Sequence, residues 1–500
     1  MSEVSQKKEA FFAQYPPGFG TLLLGLWICN LFAPFLVSGV TAILPSMGAD
    51  LQARAVHLSL VMVVYALGQV IFSTIGGRFG SLWGLRRILL ASVCVFTVVS
   101  VSTGFVPDVD TLLALRFLQG ACAATISSCC TAIGMRMAPP ARRGQVIGIM
   151  TSAVYLGLTL GPLIGGGVAT VVGWRWLFFG ILPPGAAVWW ILRRNIRQEW
   201  TDAAGEKLDV PGALLLSFGL GCIAFGGGCY GVAPAMLWLL LPGALCMAVF
   251  FWWQWRASSP IVDMRLFRES PGLLTGLLAM FVNYGSTMGM VFFLSLYLQE
   301  VRGFTPFHAG LCMMVQSFAQ VLASPSGGRL ADRFGAERIS ALGMLLCGLG
   351  ILGVAMLGKT TPLAWMVMSQ ILLGTGMGTF GAPNTVATLG QVPARHLSVA
   401  SGIMGSMRTM GGLLSQVIIA FMLGWFMGDS PIAPEHADTY LLTMRTTLIC
   451  FGILNICGLC IGLRRLAGTP PPGGVSRGGA ALRTPEAAYP PDISVNTPCS

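Results

Sequence analysis

The chain has 500 residues, 54% of them hydrophobic and only 10% charged, with 65 glycines and a mean hydropathy of +0.74. Soluble proteins carry about 25% charged residues; a soluble fold could not cover this much apolar surface, whereas a polytopic α-helical membrane protein can, because lipid is its solvent. The net charge of +11 would suit a nucleic-acid surface, but its placement along the chain excludes that reading.

Residues 1–18 form a polar N-terminal segment with Lys7 and Lys8. The apolar run that follows is too long for the core of a signal peptide and reads as a signal anchor. Six runs near the ~20 residues needed to span a bilayer lie at 19–44, 57–76, 88–106, 111–133, 146–171 and 175–192, giving a first half over 19–192. A polar stretch, Arg193–Asp209, leads to runs at 210–229 and 235–255, an inserted pair within 193–271. This pair is apolar all round, with Trp238, Trp252, Trp253 and Trp255, and is expected to face lipid beside the core. Runs at 272–298, 306–326, 339–358, 363–388, 399–427 and 441–463 make a second six-helix half over 272–463. Residues 464–500 include a Pro-, Gly- and Ser-rich stretch and read as a disordered cytoplasmic tail.

Charge sets the orientation of these fourteen spans. With both termini on one side, the loops of that side hold 23 of the 30 Lys and Arg. The opposite loops hold Arg54, Arg175, Arg302, Lys359 and Arg445, and Arg116 and Arg408 fall inside spans. Loops rich in Lys and Arg stay in the cytoplasm, so both termini are expected there and the protein in the inner (plasma) membrane. Most of the 14 cysteines lie in spans and read as small packing residues without metal-ligand spacing.

A thirteen-residue segment occurs twice, 251 positions apart, between spans 2 and 3 and again between spans 10 and 11. The first copy runs from Gly76 to Ile88 and the second from Gly327 to Ile339; six positions are identical, among them Gly77 and Gly328, Arg78 and Arg329, Gly84 and Gly335, and Arg87 and Arg338. A basic, glycine-punctuated turn repeated in two halves marks an internally duplicated secondary transporter. Six spans per half would put the copies about 200 residues apart; the larger spacing leaves room for the inserted pair.

These residues resemble the major facilitator superfamily, and within it the fourteen-span drug/proton antiporter branch, the EmrB/QacA-like group. The resemblance covers nearly all of 20–465. Its motifs are the repeated turn, Leu112–Gly120 with Arg116 three residues before Gln119, Gly157–Gly166 in span 5, Gly173–Phe178, Tyr297–Gln299, Ala382–Asn384, and Ser401–Gly402 with Arg408. It implies a fold of two six-helix halves plus two inserted helices and proton-coupled efflux. The chain departs from the family at Ser81, where the turn normally carries an aspartate that the second copy keeps as Asp332. It also has Leu36 where many drug exporters carry an aspartate in span 1.

Gly157, Gly161 and Gly165, with Pro162, make a smooth, bendable face on span 5. Packing and a role in the conformational change nearly coincide there. Arg408 lies roughly 15 Å into span 13 at 1.5 Å per residue. A mid-bilayer arginine costs at least ~2.5–3.5 kcal/mol and should face a cavity or a partner. Arg116, nearer the outer end of span 4, is placed to snorkel to the interface; its neighbour Gln119 one turn away and the resemblance argue instead that both line the same cavity. Asn30, Tyr65, Gln69, Asn283, Tyr284, Gln316, Gln320 and Asn384 are further polar groups inside spans, each as suited to a helix–helix hydrogen bond as to a ligand. In the second turn the resemblance favours a clasp in which Asp332 holds Arg329, Arg333 or Arg338 and a helix N-terminus; the plainer reading is a solvated basic loop. Ser81 can cap a helix but supplies no charge.

All 19 acidic residues fall in loops, at helix ends or in the tails, with Glu300 near the outer end of span 9. A carrier of cations in exchange for protons needs a buried carboxylate, and here the spans offer two arginines instead. Efflux of amphipathic small molecules driven by the proton gradient is the leading expectation. The alternative is export of an anionic or neutral metabolite held by Arg116 and Arg408. A non-transporting membrane sensor is a third reading, which the Gly/Pro-rich span 5 argues against. No nucleophile, metal or phosphate-binding constellation points to an enzyme. Small-molecule substrate and membrane lipid are the implied partners, with no cofactor and no nucleic acid; envelope partner proteins are not specified.

Overall fold

The computed structural model describes residues 19–137, 143–201, 209–231, 233–257, 264–392, 397–428 and 434–468. The N-terminal segment 1–18, most of the C-terminal tail and half of the loop between spans 13 and 14 lie outside them. The described chain is helical, with no strand. Its long helices are α1 (Phe19–Asp50), α2 (Ala55–Trp83), α3 (Leu85–Thr103), α4 (Val109–Met137), α5 (Arg143–Val171) and α6 (Leu182–Asn195), the last preceded by a short helix Arg175–Phe179. The inserted pair is α7 (Val210–Gly228) and α8 (Leu240–Gln254). The second half has α9 (Pro271–Thr287), continued by Met290–Leu296 and a π-helical turn Tyr297–Val301, then α10 (Pro306–Phe334), α11 (Ala336–Ala355), α12 (Leu363–Leu389), α13 (Leu397–Met427) and α14 (Ala437–Gly468).

Thirteen of these segments are long and apolar enough to cross a membrane. The exception is α10, a 29-residue helix whose hydropathy is lowered by Gln316, Ser317, Gln320, Ser324 and Ser326.

The repeated turn is shorter than its sequence suggests. Residues up to Trp83 and Phe334 are still helical, and a single glycine joins each helix to the next. Gly84 has φ 106° and Gly335 φ 94°, a left-handed region that only glycine enters without strain. Each closes the preceding helix, Gly84 N–H to Gly80 O at 3.0 Å and Gly335 N–H to Ala331 O at 2.9 Å, and accepts the first bond of the next. The other glycines of the motif sit in the helices. A Cβ on Gly76 would strike Thr125 of α4, and one on Gly327 would come within 2.9 Å of Thr379 of α12. The two copies therefore make the same helix–helix contact.

Within the first half, α1 packs along α5 and α2 along α4; within the second, α10 packs along α12, α11 along α12 and α14, and α9 along α13. The halves meet through α5 against α10 and α2 against α13. Small residues allow the close approach that drives helix association in lipid. The inserted helix α7 lies on the seam, contacting both α2 and α13 through Leu216, Leu220 and Ala224. Its partner α8 is outermost, with Leu241 and Leu245 exposed, as is Trp238 in the short turn Pro234–Leu239 before it. Asp209 ties the pair together: its carboxylate caps Gly212 N–H (2.9 Å) and accepts from Trp253 Nε1 (2.8 Å) and Gln254 Nε2 (2.9 Å).

Candidate functional site

The two halves touch at the end of the bundle opposite the basic loops. Ser295 Oγ donates to Thr41 O (2.6 Å) and Gln299 Nε2 to Ala42 O (2.8 Å), joining the α9 extension to α1. Phe307 N–H donates to Thr170 Oγ1 at 3.2 Å, joining α10 to α5. The same crossing brings backbone to backbone: a Cβ on Gly310 would overlap Pro162 O, and one on Gly166 would overlap Pro306 O. Trp174 Nε1 and the Arg175 guanidinium both bond Asp50, so the Gly173–Phe178 turn fastens the end of α1. Toward the basic end, Gly328, Gly335, Gly402 and Gly405 have no atom within 4 Å of where a Cβ would stand. The described contacts between the halves thus gather at the end opposite the basic loops.

Between them lies a cluster from both halves. Arg408 is exposed although it sits inside a membrane helix. Arg408, and Tyr155 on α5 of the other half, both lie within electrostatic reach of the Tyr284 hydroxyl of α9. Tyr155 Oη lies 4.0 Å from where a Cβ on Gly381 of α12 would stand. An arginine and two tyrosines offer cationic and hydroxyl donors on aromatic walls, suited to an amphipathic molecule bearing an acceptor or a negative charge. Tyr155 was not among the residues singled out from the sequence.

Arg116 does not share that space. It is fully buried inside the first half. Its guanidinium donates to Gln119 Oε1 (3.0 Å) and Val61 O (3.4 Å) and lies 4.2 Å from the centre of the Tyr65 ring. Gln119 continues the network to Ser100 and Thr103. Among the described residues no carboxylate pairs with Arg116, and its Nη2 and the Tyr65 hydroxyl are left without partners. The expectation of one cavity with two arginines is corrected: the face of α4 that bears Arg116 turns toward α2 and α3, away from the cleft.

Most other polar candidates make or approach helix contacts. Asn30 bonds Leu26 O on its own helix, and Asn384 bonds Gly276 O across α12 and α9. Gln316 touches Met377, Gln320 is buried, Gln69 is half-buried, and Asn283 is buried without a hydrogen-bond partner. Gln370, also fully buried and unpartnered, gave no periodic signal. The regularly spaced glycines of α5 pack inside the half as well. Gly157 abuts Leu31 and Phe35, and Gly161 and Gly165 abut Gly39. On α5 the contact to the other half falls on Pro162 and Gly166.

At the first loop copy the missing charge comes from outside the motif. Glu199, in the segment after α6, accepts from Arg86 N–H at 2.8 Å, and its other oxygen lies 3.6 Å from Arg87 Nε. Leu85 N–H bonds Trp200 O (3.1 Å), and Arg86 Nε bonds Ile196 O (2.6 Å). A strap of residues 196–200 therefore caps the N-terminus of α3. In the second copy Asp332 is exposed and in no ion pair among the described residues, so the expected clasp to Arg329, Arg333 or Arg338 is not formed in this conformation.

The sequence profile of the Major Facilitator Superfamily matches residues 26–416. The chain belongs to this superfamily. It is similar to the multidrug resistance protein Stp of Mycobacterium tuberculosis, 28% identical over 407 residues, covering 80% of this chain and 74% of that one. It is also similar to the tetracenomycin C resistance and export protein of Streptomyces glaucescens, 27% identical over 392 residues, 77% and 72% of the two chains. Among solved structures, a bacterial homologue of the human lysosomal transporter Spinster superposes with a TM-score of 0.66 at 14% identity, over 90% of this chain and 97% of that one. This superfamily member is thus an all-α, multi-pass membrane transporter rather than an enzyme.

Proposed function

We propose that this transporter exports amphipathic small molecules across the plasma membrane by alternating access, driven by proton entry, with both termini cytoplasmic. The cluster of Tyr155, Tyr284 and Arg408 carries the reading, because it draws on both halves behind the contact that closes one end; the basic end is the proposed opening. Relatives named for drug resistance and export support the direction of transport, and the Lys and Arg bias supports the open end being cytoplasmic. The cleft contributes a cation, and the acidic residues lie in loops or near helix ends. Coulomb attraction is strengthened at low dielectric, so neutral or anionic substrates are favoured over lipophilic cations. Glu300, half-buried on the π-helical turn whose Gln299 holds the other half, is the proposed proton-carrying acid.

The test is uptake into inverted vesicles, with and without a pH gradient, of matched anionic, neutral and cationic amphiphiles. Anionic and neutral probes should be carried best. Arg408→Gln should remove the preference for the anion, costing its transport about tenfold or more, the size of one charge-assisted hydrogen bond. Best transport of cations, in an order that Arg408→Gln leaves unchanged, would make the arginine structural.

A further inference from the structure

The strap that caps α3 has a second face. Together with the ends of α4 and α6 it walls a cavity of about 470 Å³ lined by Met137, Arg194, Asn195, Arg197, Gln198 and Trp200. Arg194 and Arg197 are exposed, and among the described residues neither has a hydrogen-bond or ion-pair partner. The one acid of the strap, Glu199, is turned to Arg86 and Arg87 on the other side. Among the described residues the cavity thus gathers two free guanidiniums and two amides without a neutralising carboxylate.

Its position selects the ligand. The cavity opens where the apolar run of α6 ends, and exposed Trp83 and Trp190 mark the neighbouring lipid-facing surface. Tryptophans of this kind sit at headgroup level. Arginine forks match phosphate oxygens bidentately, and basic pockets at this level hold anionic headgroups. Met137 and Trp200 add an apolar wall for the glycerol and upper chain. We propose that this cavity binds the phosphate of an anionic phospholipid, held by Arg194 and Arg197 with Gln198 as an additional donor.

The purified full-length protein, reconstituted in nanodiscs of phosphatidylcholine with or without phosphatidylglycerol, provides the test. Native mass spectrometry should find phosphatidylglycerol retained and its presence should raise the thermal unfolding temperature. Arg194→Gln/Arg197→Gln should weaken retention by roughly tenfold or more and abolish the rise. Arg256→Gln, at the same end but stacked on Trp252, should leave both intact. If the double variant folds poorly, Gln198→Glu, which places an anion in the cavity, should give the same loss. Equal retention by the wild type and these variants would overturn the site. Stabilisation by inorganic phosphate or glycerol phosphate with no added effect of the lipid would overturn the lipid as its source.

Discussion

Glu199 supplies to the first loop copy the charge that Ser81 lacks. Ser81 Oγ donates to Arg78 O, a bond that stays on its own helix, while Glu199 accepts from the Arg86 N–H in the first turn of α3, where a negative charge meets the positive end of the helix dipole. Glu199→Ala should therefore lower stability by about 1 kcal/mol, the size of a lost helix cap, and Ser81→Ala should cost almost nothing. Thermal unfolding at matched membrane abundance checks both; equal losses would remove the argument. Tyr65 offers a second residue-level test. Its hydroxyl has no partner and its ring faces Arg116 at 4.2 Å. Tyr65→Phe keeps the cation–π contact and should be close to neutral, whereas Tyr65→Leu should cost about 1–2 kcal/mol.

Single glycines decide how the helices meet. Gly310 has no room for a side chain because Pro162 O of the other half occupies the place of its Cβ, whereas Gly157 is filled by α1 of its own half. Gly310→Val should thus prevent closure of the end opposite the basic loops and shift the population toward a state open there, while Gly157→Val should destabilise the first half in every state. Spin labels on α5 and α10 would show the first as a longer distance; a distance unchanged in a folded protein would contradict it. The helices themselves were legible from apolar runs, and the duplication from the loop copies. The same spacing of 251 also relates Tyr65 to Gln316 and Gln69 to Gln320. Their positions repeat in space, since Gly120 approaches Tyr65 O and Gly374 approaches Gln316 O. What sequence could not give was rotation. Whether Arg116 faces the cleft or α2 depends on the turn of α4 about its axis, and an apolar lipid face leaves no amphipathic stripe to set it. Tyr155 escaped notice because Tyr284 and Arg408, which complete its cluster, lie in the other half of the chain. The strap could not be foreseen either, since Glu199 and Arg86 are 113 positions apart.

At the scale of the molecule, the proposed alternating access makes the described conformation one member of a pair. Closed and open ends must exchange for a cleft to carry a solute across, and a bundle of two packed halves can rock between such states as rigid bodies. The inserted helix α7 touches α2 and α13 on either side of the seam, so it must slide on one of them when the halves rock. Asp209 keeps α7 and α8 together through that movement. Sidedness and exchange can be tested together by single cysteines in a background freed of native ones. Cysteines at Gly402 and Gly405 have open space around them, and a cysteine at Ser295, fully buried, is placed in the closed contact. A membrane-impermeant thiol reagent applied from the cytoplasmic side should label positions 402 and 405, and position 295 should resist labelling from outside. An inward proton gradient with exported substrate present should reverse this pattern, exposing 295 to the outside and protecting 402 and 405. Labelling of 402 from the outer face would invert the orientation drawn from Lys and Arg placement. A pattern that no gradient or substrate changes would mean that the halves do not exchange, and the cleft would then be a fixed site rather than a transport path.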